Sequence, residues 1–238
     1  RDYARNVKVP ARLAAEIARV TSLAHGIWAD ARMTEDFAAF APTLKVIVAL
    51  RREEAAALAA GGDLYDALLD DYEPGRTGAE IEEMFAALRP GLVSLRERIL
   101  GATRTVPGID FEFPEEGQLS LSRELATAFG YDLVHGRIDK AVHPFSSGSG
   151  LDVRITTRTN PRDPFNCFYS TIHEVGHATY EQGIDRAFLL TPLGRGASMG
   201  VHESQSRIYE NQLGRSRAFT AFLYNRMVAT FDDFGIED

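Results

Sequence analysis

The chain has 238 residues, of which 45% are hydrophobic and 25% charged, and its formal net charge is -8 at pH 7. This composition is typical of a globular protein with a sizeable core and excludes a disordered chain. An acidic surface repels the phosphates of nucleic acids and of anionic lipids, so neither nucleic acid nor membrane is expected as a partner.

The cysteine content and the chain ends bear on where the protein works. Cys167 is the single cysteine, which excludes an internal disulfide and fits a reducing, cytoplasmic compartment. No apolar run reaches the length of a membrane-spanning helix, and no signal peptide opens the chain. The chain starts at Arg1 without a methionine and stops at Asp238 without a terminating feature. These ends predict an internal piece of a protein that continues in both directions.

The first third of the chain shows helical periodicity. Apolar residues at three- and four-residue spacing between Leu13 and Ile27 predict an amphipathic helix. A second helix is predicted to begin after Pro42 and to end at the glycine pair 61–62.

Two further helices are predicted before residue 130. Thr77 and Glu80 have the spacing of a capping box, which predicts a helix start. Pro90 is expected to kink or break that helix. A shorter helix is predicted over residues 120–129.

The pattern changes in the second half of the chain. A Pro, Ser and Gly-rich stretch predicts a loop over 144–150, and alternating polar and β-branched residues predict a strand over 152–157. A helix is predicted over 166–182, with Asn166 as its N-cap and Gly183 as its stop. Another helix is predicted from near residue 201 past residue 213. The predicted fold is mainly α, with a small β element just before the 166–182 helix.

The predicted 166–182 helix carries an HExxH motif. His173 and His177 lie one turn apart on the same helical face, so both imidazoles can reach one cation. Glu174 follows the first histidine and can take a proton from a water that a zinc ion activates. The alternative is a pair of ordinary helix histidines beside a solvated glutamate. The motif favours a metallopeptidase site.

A catalytic zinc site needs a third protein ligand. Glu181 is on the same helix, but eight residues beyond His173 correspond to about 12 Å of rise. His202 and Glu203 begin the next helix and can return over the metal, and spacing does not choose between them. Glu210 lies two turns further along, where an ion pair with a neighbouring arginine is expected.

Four motifs in chain order make the sequence resemble the carboxypeptidase Taq family of metallocarboxypeptidases, peptidase family M32. The matching stretches are His143-Pro144-Phe145, DVRIT at 152–156, HEVGH with the following YEQG at 173–183, and HESQSR at 202–207. YDALL at 65–69 and YEPG at 72–75 also match. The resemblance covers most of the chain and is far more specific than HExxH alone.

The resemblance implies a ligand set and an architecture. Glu203 would be the third metal ligand beside His173 and His177, and Glu174 the general base and acid. The fold would be a helical, zincin-like metallopeptidase with a small antiparallel β-sheet beside the HExxH helix. The chain would form a single catalytic core, with residues 1–140 as the helical wall of a groove and 141–238 carrying the strand and the metal-binding helices.

The resemblance also implies an activity. Family members remove single residues from the C-termini of peptides, use zinc or cobalt, and commonly form homodimers. Another divalent transition metal would also suit two imidazoles and a carboxylate. Two later family motifs, IRxxAD and GxxQDxHW, do not occur in this sequence, so residues outside it are expected to complete the substrate pocket.

Five supporting residues are candidates for substrate binding or for orienting the ligands. Asp152 is expected to orient a ligand histidine through its free ring nitrogen, and Arg154 to contact substrate or to pair with Asp152. His143 is expected to line the groove and contact substrate, or else to serve the loop. Arg207 shares a helical face with Glu203 and is expected to anchor it, whereas Gln205 points elsewhere.

Two alternatives to a carboxypeptidase remain open at this point. The metal constellation does not distinguish an exopeptidase from an endopeptidase or oligopeptidase. A non-catalytic helical scaffold stabilised by zinc is the other alternative, although a structural site has no need of Glu174.

Overall fold

The computed structural model describes residues 1–104, 108–232 and 234–235. The chain divides into two compact units, residues 1–103 and 104–238. The sequence predicted one catalytic core with its internal division near residue 140, and the joining of the two units into one core stays a prediction. Among the described residues, no helix combines the length and the apolar character that crossing a membrane requires.

The first unit is entirely helical in its described part. Its helices are α1 Asp2–Asn6, α2 Ala11–Met33, α3 Phe37–Ala59, α4 Leu64–Leu69 and α5 Gly78–Leu100. Helices α2 and α3 pack along each other. The predicted apolar face of α2 supplies Leu13, Val20 and Ala24, all of which are buried.

Two prolines lie inside helices, although the sequence predicted that a helix begins after Pro42 and that Pro90 kinks or breaks one. Helix α3 begins at Phe37, because Asp36 caps it by accepting a hydrogen bond from the backbone N–H of Ala39. Pro42 therefore lies inside α3, and Pro90 lies inside α5, which continues unbroken to Leu100. A proline lacks the N–H of the helix ladder and crowds the carbonyl four residues before it, but the helical turns on both sides are retained.

The second unit combines helices with a small sheet. Its elements are α6 Glu115–Ala128, β1 Gly136–Lys140, β2 Ser146–Ser149, β3 Asp152–Thr157, α7 Pro164–Gln182, α8 Met199–Arg207, a π-helical segment Ile208–Leu213 and α9 Arg217–Phe231. A buried core joins α6, α7 and α9, with Leu121, Phe168, Ile172 and Met227 at its centre. The mainly α fold with a small sheet is as predicted.

The sheet is mixed, whereas the resemblance implied an antiparallel one. Its strand order is β1-β3-β2, with β1 parallel and β2 antiparallel to β3. The chain reverses between β1 and β2 and again at the tight turn between β2 and β3, so β1 and β3 run in the same direction. Residues 146–149, predicted as loop, form β2 because their backbone pairs with β3.

The sheet packs against α7, the helix that carries the HExxH motif. Val153 and Ile155 alternate along β3 and are fully buried with Val175 and Ala178 of α7. Helix α7 begins at Pro164, two residues before the predicted start, because Asp163 caps it by accepting from the N–H of Asn166. Gly183 is its C-cap residue.

Helix α8 passes unusually close to α7 at Gly176. A Cβ atom added at Gly176 would lie 2.5 Å from Ser206 Cα and 3.0 Å from Ser206 N. Gln205 closes the same contact, since its Nε2 donates to Gly176 O at 2.9 Å and to Thr179 Oγ1 at 2.9 Å. The absence of a side chain at Gly176 therefore permits the approach of α8.

Replacing Gly176 by Ala should destabilise the protein by about 1–3 kcal/mol, because the added methyl group meets backbone atoms that cannot rotate away. Gly26 is a matched control, since it lies within α2 with no atom within 4 Å of an added Cβ. Gly26→Ala should raise the stability by about 0.5–1 kcal/mol. Urea unfolding followed by circular dichroism measures both variants. Equal stability of the two variants would contradict the close packing.

Candidate metal centre

Three electron-pair donors meet where α8 crosses α7. His177 Nε2 lies 3.2 Å from His173 Nε2 and 3.2 Å from Glu203 Oε2, and His173 Nε2 lies 3.5 Å from Glu203 Oε2. We call these three residues the ligand triangle. In the described part of the chain they form the one group of three or more such side chains close enough to share a metal ion.

The ligand triangle has the dimensions of a zinc site. Tetrahedral zinc with bonds of about 2.0–2.1 Å holds its ligand atoms about 3.3–3.4 Å apart, and the three separations observed here lie between 3.2 and 3.5 Å. Two imidazole nitrogens and one carboxylate oxygen also form a ligand set found in zinc peptidases. The residues present therefore fit a divalent transition metal.

The other ring nitrogen of His173 faces Glu210. Nδ1 of His173 lies 3.0 Å from Glu210 Oε2. Glu210 also pairs with Arg207 at 3.2 Å and with Arg215 at 3.1 Å. The arginine contacts agree with the ion pairs expected from the sequence, but the contact with His173 was missed. Its sequence signal is the seven-residue spacing from Glu203, which returns Glu210 to the same side of the helix.

The other ring nitrogen of His177 faces His202. The two Nδ1 atoms lie 2.7 Å apart, and His202 Nε2 lies 2.9 Å from Glu181 Oε1. The ring of Tyr180 packs on His202 with 4.5 Å between centroids. His202, which spacing had left open as a third ligand, thus lies behind His177, outside the ligand triangle.

Electrostatics keep two of the three ligands in forms that bind a cation. Burial lowers the pKa of His177 to about 4, assisted by the neighbouring rings of His173 and His202, so its imidazole is neutral at pH 7. Partial burial raises the pKa of Glu203, but hydrogen bonds from Arg207 and Ser206 outweigh it. The net result is a pKa below the ordinary value and a carboxylate at pH 7.

Glu174 is almost fully enclosed beside the ligand triangle. Its exposed fraction is 7%, and burial raises its pKa to about 7, with further contributions from the charges of Glu203 and Glu210. A positive ion within the ligand triangle would counter this rise, because an opposite charge favours the carboxylate.

An open cavity of about 630 Å³ extends from Glu174 and His173. Several arginines and aromatic rings share its lining, which includes His143, Arg158, Tyr169, Arg207 and Arg215. His143 is thus placed at the cavity, as expected for a residue that lines the groove. Its contact with substrate stays a prediction.

Asp152 and Arg154 have partners other than the metal ligands. Arg154 donates from Nε and Nη2 to the two carboxylate oxygens of Asp152 at 2.8 and 2.9 Å. Both side chains are more than half exposed, because Val153 and Ile155 take the inward positions of β3. Since the Nδ1 atoms of both ligand histidines face other residues, the predicted role of Asp152 in orienting a ligand histidine is wrong.

Gln205 and Arg207 hold α8 in place in different ways. Gln205 binds the backbone of α7 at Gly176 and points away from the ligand triangle, as its helical position predicted. Arg207 donates from Nε to Glu203 Oε1 at 2.8 Å. This bond leaves Oε2, the other carboxylate oxygen of Glu203, facing the histidines.

The chain is similar to known proteins along its whole length. The model of the carboxypeptidase Taq (M32) metallopeptidase family matches residues 1–237. Thermostable carboxypeptidase 1 of Thermus thermophilus is 42% identical over 252 residues, covering 99% of this chain and 49% of that protein. Carboxypeptidase 1 of Bacillus subtilis is 36% identical over 246 residues, covering 100% of this chain and 49% of that protein.

A solved structure agrees with these matches. The M32 carboxypeptidase from Deinococcus radiodurans superposes with a TM-score of 0.84 at 39% identity, covering 97% of this chain and 47% of that one. The chain spans about half the length of the curated relatives it matches.

Replacing Glu203 by Gln should weaken zinc binding by more than about 100-fold, beyond the roughly 10- to 100-fold effect of losing a partner that supports a ligand. The reason is that the amide removes the only anionic donor of the ligand triangle. Competition with a chelating dye measures the affinity. Glu112→Gln is the control, since Glu112 is an exposed glutamate paired with Arg162 at 2.8 Å. Equal affinities of the two variants would contradict the assignment.

Proposed function

The chain belongs to the carboxypeptidase Taq (M32) metallopeptidase family, and from this premise we propose that it provides the catalytic metal centre of an enzyme that removes residues from the C-termini of peptides. The observation that carries the proposal is the ligand triangle of His173, His177 and Glu203 beside the buried Glu174. Family membership supports the removal of C-terminal residues, and the geometry of the ligand triangle and Glu174 supports metal-assisted hydrolysis.

Zinc is the metal that we propose, with cobalt or another divalent transition metal as the alternative. His173 and His177 would hold it through Nε2 and Glu203 through Oε2. When bound at such a site, zinc supplies a Lewis acid that polarises a carbonyl group and lowers the pKa of water to about 7. A site with three protein ligands would leave the bound ion accessible to water or substrate.

Glu174 moves the proton. Its carboxylate takes a proton from the attacking water and later delivers that proton to the nitrogen of the leaving residue. Its place directly after His173 in α7 and its position on the cavity wall support this role. Enclosure of the side chain limits competition from bulk water for the carboxylate.

The cavity receives the peptide. His143 lies at its edge, just before β2, which is an outer strand of the sheet. An extended peptide can add to such a strand edge through backbone hydrogen bonds. Arg158 and Arg207 also line the cavity and can bind carbonyl or carboxylate oxygens of the substrate. From the family resemblance we expect the remaining substrate contacts to come from regions outside this chain.

The wider properties of the intact protein follow from the resemblance and from composition alone. A homodimer, peptides as the only partners and a cytoplasmic location stay predictions. The zinc-stabilised scaffold is the less favoured alternative, because burying a carboxylate beside the ligands costs stability that a structural site has no reason to bear.

Replacing Glu174 by Gln in the intact protein should lower kcat by at least about 100-fold, at the low end of what a general acid–base group contributes. Bound zinc should be retained, because Glu174 is not a member of the ligand triangle. Peptide hydrolysis and elemental analysis of the same sample measure the two properties. Full activity with normal zinc content would remove Glu174 from the mechanism.

Amidation of the substrate C-terminus separates a carboxypeptidase from an endopeptidase. The intact protein should cleave a short peptide with a free terminal carboxylate and lose most of that activity on its amidated form, because an exopeptidase pocket binds the terminal charge. Product analysis by mass spectrometry measures both rates and identifies the residue released. Equal rates on the two peptides would favour the endopeptidase alternative.

A further inference from the structure

We propose that Glu181 and His202 act as positioning residues that set the tautomer of His177, so that its Nε2 lone pair faces the ligand triangle before any metal binds. The inference rests on the metal site proposed above and adds two residues to it. Neither residue belongs to the ligand triangle.

The three side chains form a continuous row behind the ligand triangle. Glu181 Oε1 lies 2.9 Å from His202 Nε2, and the Nδ1 atoms of His202 and His177 lie 2.7 Å apart. His177 and Glu181 are one helical turn apart on α7, so their side chains project from the same face. His202 enters from α8 and lies between them.

The chemistry of the row determines where each proton sits. An ionised carboxylate can only accept a hydrogen bond, so Nε2 of His202 carries the proton that faces Glu181. A neutral imidazole has one proton, which leaves Nδ1 of His202 bare. That bare nitrogen must accept from Nδ1–H of His177. Nε2 of His177 is therefore the unprotonated atom, and it is the atom that faces His173 and Glu203.

Packing keeps this row in place and limits its access to water. The side chains of Glu181, His202 and His177 are 15%, 20% and 19% exposed. The ring of Tyr180 covers His202, and its hydroxyl accepts from the N–H of Ala197 at 3.3 Å. Because water has limited room to replace a lost partner, removing one side chain of the row should disturb the protonation of its neighbour.

His173 is held in the same tautomer by a direct contact with a carboxylate. Its Nδ1 faces the carboxylate of Glu210 directly, and this contact leaves its Nε2 bare as well. The two ligand histidines are thus prepared by one carboxylate each, in one case directly and in the other through His202. Metal-binding histidines commonly have such carboxylate partners.

The test uses the intact protein with two substitutions and one control. His202→Phe keeps a ring of similar size against Tyr180 and removes the acceptor, and Glu181→Leu removes the carboxylate at nearly constant volume. His135→Phe is the control, since His135 Nδ1 faces Asp132 at 2.6 Å, a histidine–carboxylate pair outside the ligand triangle. Two readouts are needed, namely ¹⁵N chemical shifts of the His177 ring in the metal-free protein and zinc affinity by chelator competition.

In the metal-free wild type, His177 should carry its proton on Nδ1. Each of the two substitutions should mix or reverse this tautomer and weaken zinc binding by about 10- to 100-fold, while the His135 control stays within about twofold of wild type. If His202→Phe does not fold, Glu181→Leu alone decides the matter. A His177 proton found on Nε2 in the wild type, or zinc affinity unchanged in a folded variant, would overturn the inference.

The experiment distinguishes a failure of the positioning inference from a failure of the proposed metal site. A wild-type protein that shows the expected His177 tautomer but does not bind zinc would contradict the proposed function and leave the positioning inference standing. If the wild type binds zinc and both variants bind it with the same affinity, the positioning inference fails and the proposed metal site stands.

Discussion

The convergence of three electron-pair donors is the constraint on which the rest of the site depends. Two imidazole nitrogens and a carboxylate oxygen face one another at 3.2–3.5 Å, which is close enough for the three to share one cation. This arrangement is held because α8 crosses α7 at Gly176, where backbone approaches backbone. The strand behind α7 completes the support, with Val153 and Ile155 packed on Val175 and Ala178.

Each side chain of the ligand triangle has a hydrogen-bonding partner on the side that faces away from the triangle. Each ligand histidine turns one nitrogen toward the ligand triangle and the other toward a hydrogen-bonding partner, Glu210 or His202. The two oxygens of Glu203 also have different partners. Oε1 accepts a hydrogen bond from Arg207, and Oε2 faces the histidines. Holding each ligand from behind lowers the conformational cost of binding the ion.

The cavity brings the buried carboxylate of Glu174 next to the ligand triangle. Glu174 and His173 are adjacent in α7 and line one end of it, while His143 and several arginines line the remainder. Burial and neighbouring carboxylates raise the pKa of Glu174 to about 7, so the same enclosure that shapes the cavity also tunes the residue proposed to move the proton.

The sequence by itself determined the mainly helical fold, the family and the pairing of His173 with His177, since helical periodicity and i, i+4 spacing are local properties of the chain. It could not choose between His202 and Glu203 as third ligand from spacing, because that choice depends on how α8 is rotated against α7. The helix starts at Phe37 and Pro164 depend on local caps, Asp36 and Asp163, which the sequence analysis did not assign. The mixed sheet and the contact of Glu210 with His173 were decided by tertiary structure, because both depend on contacts between segments distant in the chain.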